Sequence, residues 1–160
     1  MYELFFEKIE EKIKLTSAQE DIIKQYLIPK KIRKNQYLLQ EGDVAKYAAF
    51  VEKGALRAYS VDDRGTEHII QFAFEGWTIS DMYSFLTGEA ATYNIDALED
   101  SELVLISKAA QDEILKQIPA YEVYTRLQVT GAYMAMQKRL TSMLSLSLEE
   151  RYINLTQLYP

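Results

Sequence analysis

At 160 residues the chain has room for one compact domain with a real core and one further element such as a long helix, but not for two full domains. Hydrophobic residues make up 48% and charged residues 26%, which excludes a disordered chain. No uncharged apolar run approaches the roughly 20 residues of a membrane span, the N-terminus MYELFFEKIEEKIK is charged throughout rather than built as a signal peptide, and there is no Cys, so disulfides, iron-sulfur clusters and thiol nucleophiles are excluded and a cytoplasmic location is expected.

In chain order, Leu4, Phe5, Ile9 and Ile13 fall on one face at helical spacing. A second helix is expected to start at Ser17, with Glu20 three residues on completing a capping box, and to be stopped by Pro29. From Lys31 to about Ser107 the texture changes to short runs rich in Val, Ile, Tyr and Phe between turn residues, which reads as strands. The turn candidates around Gly42, Gly54, Gly65, Gly76, Gly88 and Asp100 are spaced as in sandwiches and barrels, and Ala55 to Val61 is expected to pair with Glu67 to Phe74 about the Asp62–Gly65 turn.

Helical periodicity returns over Lys108 to Ile118 and again from Pro119 to Leu144, with Pro119 suiting a first-turn position. As one helix that last stretch would span about 39 Å, longer than a small domain needs to cover itself. A further helix is expected from Ser147, with Glu150 completing its capping box. The long helix carries two apolar seams. One is Val123, Leu127, Thr130, Met134, Gln137, Thr141 and Leu144; the other is Val129, Tyr133, Met136, Leu140 and Met143. Neighbouring members such as Tyr133 and Met134 point about 100° apart, so one surface can bury only one seam. We expect one seam to meet the strand region and the other a partner helix, the 4-3 spacing of the first suiting a homodimer. A single helix sunk in its own core is the alternative.

The net charge of −6 is unevenly spread: residues 61–107 hold ten carboxylates against Arg64 alone. Such a segment repels phosphate. The single histidine, His68, sits on an expected strand and has no Cys or second His beside it, so a metal or haem role has no constellation to support it. One histidine also cannot supply a cupin-type metal site. Asp62, Asp63, Glu67, Asp81 and Asp96 leave a paired-carboxylate hydrolase formally open, but turns routinely carry such residues on solvated faces. There is neither a Gly-rich phosphate loop nor a Ser nucleophile motif, so no catalytic residue and no cofactor is expected. The twelve tyrosines lack a basic groove beside them, and the run Lys30, Lys31, Arg33, Lys34 reads as a solvated strand face.

Two helices, a region of about eight strands, a short helix and a long helix follow the order of a cyclic-nucleotide-binding domain. Gln40-Glu41-Gly42-Asp43, then Ala49-Phe50-Val51-Glu52-Lys53-Gly54-Ala55-Leu56-Arg57, then Gly76-Trp77 resemble that family's opening and the approach to its ligand cassette. Leu148-Glu149-Glu150-Arg151-Tyr152 with Tyr159-Pro160 resembles the entry to the helix-turn-helix domain of catabolite activator and fumarate-nitrate (CRP/FNR) regulators, particularly a Bacteroidetes branch. The resemblance covers nearly the whole chain. It implies an α+β fold, an antiparallel β-roll or jelly roll (1–118) with flanking helices, followed by a dimerisation helix and the start of a DNA-binding domain (119–160) whose helix-turn-helix lies outside this sequence.

In such cassettes an acidic residue accepts the ribose hydroxyl and an Arg pairs with the cyclic phosphate. The matching positions here are Asp81 for the acid, Ala91 where the Arg would stand, and Thr92 for the Ser/Thr, so the resemblance implies a cassette without its phosphate clamp. The expectation is a domain that does not respond to cyclic AMP or cyclic GMP. Its candidate pocket is Trp77, Asp81, Met82, Tyr83, Phe85, Ala91 and Thr92, open to a different effector or to none. A stand-alone dimeric small-molecule-binding or interaction module with no DNA role is the alternative.

Overall fold

The computed structural model describes residues 1–159 and divides them into two compact units, Met1–Tyr121 and the residues from Glu122 onward. In the first unit α1 (Glu3–Glu10) buries Phe5, Phe6 and Ile9. The buried stripe therefore runs through Phe6, while Leu4 is only half-buried. Residue Tyr2 offers α1 no side-chain cap; instead Glu52, 48 residues away, accepts from the backbone N–H of Leu4 at 2.7 Å and of Phe5 at 3.1 Å. A carboxylate at that end suits both the unpaired amides and the helix dipole.

Helix α2 (Ser17–Lys24) starts at the expected Ser17, but its capping box lies one residue earlier than the sequence suggests. Thr16 is the cap, accepting from Gln19 N at 3.2 Å while the Gln19 side chain accepts from Thr16 N. Both Thr16–Gln19 and Ser17–Glu20 fit the capping pattern, and sequence does not choose between them. Nor does Pro29 end the helix. It lies inside strand β1 (Ile28–Ile32), which is an edge strand, where a missing N–H is tolerated and the exposed Lys30 and Lys31 discourage a further strand from pairing.

Seven more strands follow: β2 (Tyr37–Leu39), β3 (Tyr47–Lys53), β4 (Leu56–Val61), β5 (Glu67–Ala73), β6 (Thr78–Ile79), β7 (Asn94–Ala97) and β8 (Ser101–Ser107), with the short α3 (Met82–Thr87) between β6 and β7. They form two antiparallel four-stranded sheets, ordered β1-β8-β3-β6 and β2-β7-β4-β5. The core joins inward residues of both, among them Val51, Leu56, Ile79, Ile95, Leu103 and Leu105. Strand β8 buries four consecutive residues from Leu103 to Ile106, so it has no polar face. On β3, which pairs with β8, Phe50 meets α1 through an edge-to-face contact with Phe5 at 5.3 Å.

The β4–β5 hairpin forms as its turn chemistry predicts. The side chain of Asp62 accepts from the amides of Arg64 and Thr66, and Gly65 takes the left-handed φ of 81°. At the β3–β4 turn Gly54 has φ 103°, and a Cβ there would overlap Ser101. Helix α4 (Lys108–Gln117), capped by Ser107, completes this unit.

The second unit is most of α5 (Tyr121–Ser145) together with α6 (Leu148–Leu158). Pro119 stands two residues before α5 rather than in its first turn. At Ser147 the expected capping box with Glu150 is present, at 3.2 and 2.8 Å. Among the described residues no helix is long and apolar enough to cross a membrane.

Candidate functional site

The stretch from Gly76 to Thr92 folds back on the first unit through one buried carboxylate. Asp81 is 1% exposed. Its Oδ1 accepts from Ser84 N at 3.1 Å, capping α3, and its Oδ2 accepts from Thr92 N at 2.8 Å, from Tyr93 N at 3.3 Å and from Thr92 Oγ1 at 3.4 Å. Three backbone amides and a hydroxyl thus bond both oxygens from inside the chain, where the side chain is closed to solvent. No oxygen of Asp81 is left to aim at a ribose.

Ala91 is equally enclosed. It belongs to the core with Phe85, its N–H donates to Asp43 O at 2.7 Å, and its carbonyl accepts from Gly42 N at 2.8 Å. The Gly42-Asp43 turn is thus zipped to the end of the cassette, an arrangement extended by the bridge between Val44 and Ala90. Ser84, which sequence reasoning passed over, is the other fastener: its buried Oγ accepts from Ala45 N at 2.8 Å and donates to Glu89 O at 2.6 Å. The only hint of it in the sequence is its place three residues after a capping Asp.

The other predicted pocket residues do not converge. Met82 and Tyr83 are exposed on α3, Thr92 presents its surface to solvent, and the Trp77 ring meets Phe74 edge-on at 5.9 Å. A hollow of about 570 Å³ lies elsewhere in the same unit, beside β2 and the segment leading into β3, and none of the seven predicted residues lines it. Its floor is Leu39, Ile79 and Ile95. Sequence patterning could not locate it, because those three residues meet only through pairing and packing between the sheets.

A second cluster also escaped the sequence reading. Arg57 on β4 donates to both oxygens of Asp96 on β7, at 2.8 and 3.2 Å, and to Glu67 on β5 at 2.8 Å, and its guanidinium lies 4.1 Å from the Tyr59 ring centroid. The Tyr59 hydroxyl donates to that of Tyr37 at 3.2 Å. Hydrogen bonding to Asp96 holds Arg57 protonated beyond its ordinary range, with Glu67 adding and burial opposing. Burial first, and then the Tyr37 hydroxyl, raise the Tyr59 pKa. With both carboxylates on one guanidinium, this Arg ties three strands together rather than offering itself to an anion.

At the tip of the hairpin, His68 Nε2 lies 2.8 Å from Asp62 Oδ2 on an exposed surface. The hydrogen bond from His68, with those from the Thr66 and Arg64 amides, lowers the pKa of Asp62.

On α5, seam residues from Leu127 onward are exposed, with Met134 at 53% and Leu144 at 81%, and so are Tyr133, Met136, Leu140 and Met143 of the other seam. Val123 is half-buried, and Thr130, Gln137 and Thr141 are exposed.

No match is found among curated proteins. Among solved structures, a cyclic nucleotide-binding domain from Methylobacillus flagellatus superposes with a TM-score of 0.76 at 15% identity, over 92% of this chain and 86% of that one. The Thermus thermophilus Catabolite Activator Protein gives 0.66 at 19% identity, over 81% of this chain and 60% of its own. A transcriptional regulator of the crp/fnr family from Eubacterium rectale gives 0.68 at 22% identity, over 86% and 64%. This chain therefore spans less than two thirds of either regulator. At such identities the likeness is one of fold, and it agrees with the two-sheet roll and long helix described above. The sequence itself carries the assignment: residues 29–118, more than half the chain, match the model of the cyclic nucleotide-binding domain, and the chain belongs to that family.

Proposed function

We propose that this chain is the sensor and dimerisation part of a CRP/FNR-like transcription regulator that does not respond to cyclic AMP or cyclic GMP. The observation that carries the second half is the cassette. Ala91 stands where the family's phosphate-pairing Arg would be, and both its Cβ and its backbone are committed to the core and the Gly42-Asp43 turn. Forfeiting a buried bidentate Arg costs about 2–5 kcal/mol, which weakens nucleotide binding by at least roughly thirtyfold. The acidic position is also spent, since Asp81 already accepts three backbone amides.

The dimer rests on α5. Its exposed stripes, Val129, Tyr133, Met136, Leu140 and Met143 on one side and Leu127, Met134 and Leu144 on the other, line the helix with large apolar side chains open to solvent, a feature that marks interaction faces. The proposed interface is the seam Val123, Leu127, Thr130, Met134, Gln137, Thr141 and Leu144, whose 4-3 spacing suits two parallel helices. In such a regulator an effector acts by binding one helix arrangement better than the other. DNA contact and catalysis are assigned to no residue of this chain.

Two measurements test the reading. Calorimetry with cyclic AMP and cyclic GMP is expected to give no saturable heat at micromolar concentrations, and micromolar affinity for either removes the second half. Size exclusion with light scattering is expected to give twice the 18.5 kDa chain mass; a monomer at micromolar concentration removes the dimer. Leu127→Asp together with Met134→Asp is expected to convert the dimer to a folded monomer.

A further inference from the structure

We propose that α5 carries an oxidation site: the thioethers of Met134, Met136 and Met143, which a peroxide converts to sulfoxides and so releases the helix from its partner copy. The chain has no Cys, so thioethers are the side chains that a two-electron oxidant attacks most readily. Three of the five methionines fall on this one helix, and they are 53%, 58% and 62% exposed. None has to be uncovered by unfolding before it reacts.

Their placement around the axis gives the oxidation a consequence. Met136 and Met143 stand about 20° apart around the helix, on the stripe with Val129, Tyr133 and Leu140. Met134 lies roughly 160–180° from them, on the side of Leu127. Whichever stripe meets the partner helix, that interface contains a thioether. Here the inference rests on the dimer reading above: oxidation needs only exposure, whereas release needs self-association.

In the reaction the sulfur lone pair attacks one oxygen of hydrogen peroxide, the O–O bond breaks, and the proton of the transferred hydroxyl passes to the departing hydroxide. One sulfoxide and one water result, the sulfur having lost the two electrons that the peroxide gains. A flexible apolar side chain becomes a polar one. Set against a second helix, the new oxygen must shed its water, which weakens association roughly tenfold or more. A thioether covered in the dimer is reached through the dissociated chain, so oxidation draws the equilibrium toward monomer.

The test treats the 160-residue chain with graded hydrogen peroxide at a concentration near its dimer dissociation constant, following mass by light scattering and oxygen uptake at each methionine by peptide mass spectrometry. Oxidation of the three α5 methionines is expected to accompany dissociation. Reduction by a dithiol with methionine sulfoxide reductases for both sulfur epimers, in which the oxygen leaves as water and the dithiol becomes a disulfide, is expected to restore the dimer. Met134→Leu, Met136→Leu and Met143→Leu together conserve volume and apolarity, so this variant is expected to stay dimeric under peroxide while the exposed Met1 and Met82 still oxidise. Resistance conferred by Met134→Leu alone, or by Met136→Leu with Met143→Leu, supports the proposal and identifies the covered stripe. A wild-type chain that stays dimeric with all three oxidised, a triple variant that dissociates like wild type, or a dimer that does not return once the sulfoxides are reduced overturns it. If the untreated chain is already a monomer, the dimer reading falls and the switch falls with it; if the untreated dimer survives oxidation, the switch alone falls.

Discussion

Replacing Asp81 with Ala removes the carboxylate that joins the start of α3 to the start of β7. The loss of an N-cap costs about 1 kcal/mol. Thr92 N and Tyr93 N lose their shared acceptor as well, and each such donor left unpaired in a partly buried site costs about 1 kcal/mol or more. The total is about 3 kcal/mol, which for a chain of this size lowers the thermal midpoint by roughly 10 °C. Urea unfolding followed by circular dichroism measures the difference directly, with the slope against denaturant unchanged if the denatured state is unaltered. Hydrogen exchange gives the local reading: the Thr92 and Tyr93 amides are expected to lose protection before the β3–β8 ladder does. Asp81→Asn keeps one acceptor oxygen and turns an NH₂ toward the other amides, so it is expected to fall between wild type and Ala. A loss below about 1 kcal/mol for Asp81→Ala, or unchanged protection at Thr92 and Tyr93, would refute the claim that this carboxylate is committed to internal bonds.

Three further outcomes follow from the same structure. Gly54→Ala combines a φ of 103° with overlap of the new methyl on Ser101, and chemical denaturation should register a loss of about 3 kcal/mol or more, against about 1 kcal/mol for Gly65→Ala, which meets no neighbour and carries only the strain of its φ of 81°. Arg57→Met leaves Asp96 without its bidentate partner; because the Arg57 side chain is 21% exposed, the expected destabilisation is about 2–3 kcal/mol, and Asp96→Asn in the same background should restore part of it. The pKa of Asp62 is lowered by its His68 and amide hydrogen bonds, so its contribution to the hairpin is complete above the ordinary carboxylate pKa of about 3.9 and is lost as the pH falls through the lower folded value. The protection factors of the Arg64 and Thr66 amides, referenced to intrinsic exchange at each pH, should therefore fall in acid, and Asp62→Asn should abolish that pH dependence.

How much was legible in advance depended on how far apart in the chain the deciding groups lie. The Ser147–Glu150 cap, the Asp62–Gly65 turn with its hairpin, and the periodicity of α5 are interactions within a few residues, and sequence alone specified them. So did the ordering of elements that placed the chain among cyclic-nucleotide-binding folds, and the absence of an Arg at position 91. The ambiguous cap at Thr16 or Ser17 failed because two overlapping patterns satisfy the same local rule, and Pro29 failed because whether a strand is at an edge is a property of the sheet.

The candidate site was the least legible part. The family resemblance marked Asp81 as an available acid, but whether it faces a ligand or its own backbone depends on where Thr92 and Tyr93 return, eleven and twelve residues later. Glu52 capping a helix 48 residues away, Arg57 gathering carboxylates from β5 and β7, and a hollow floored by Leu39, Ile79 and Ile95 are decided only when the two sheets close. Short-range hydrogen bonds and side-chain periodicity are written in neighbouring residues, so the sequence by itself determined the elements and their order. Burial, register and long-range pairing depend on every strand at once, and only the tertiary structure decided which polar groups were consumed internally and which were left facing solvent.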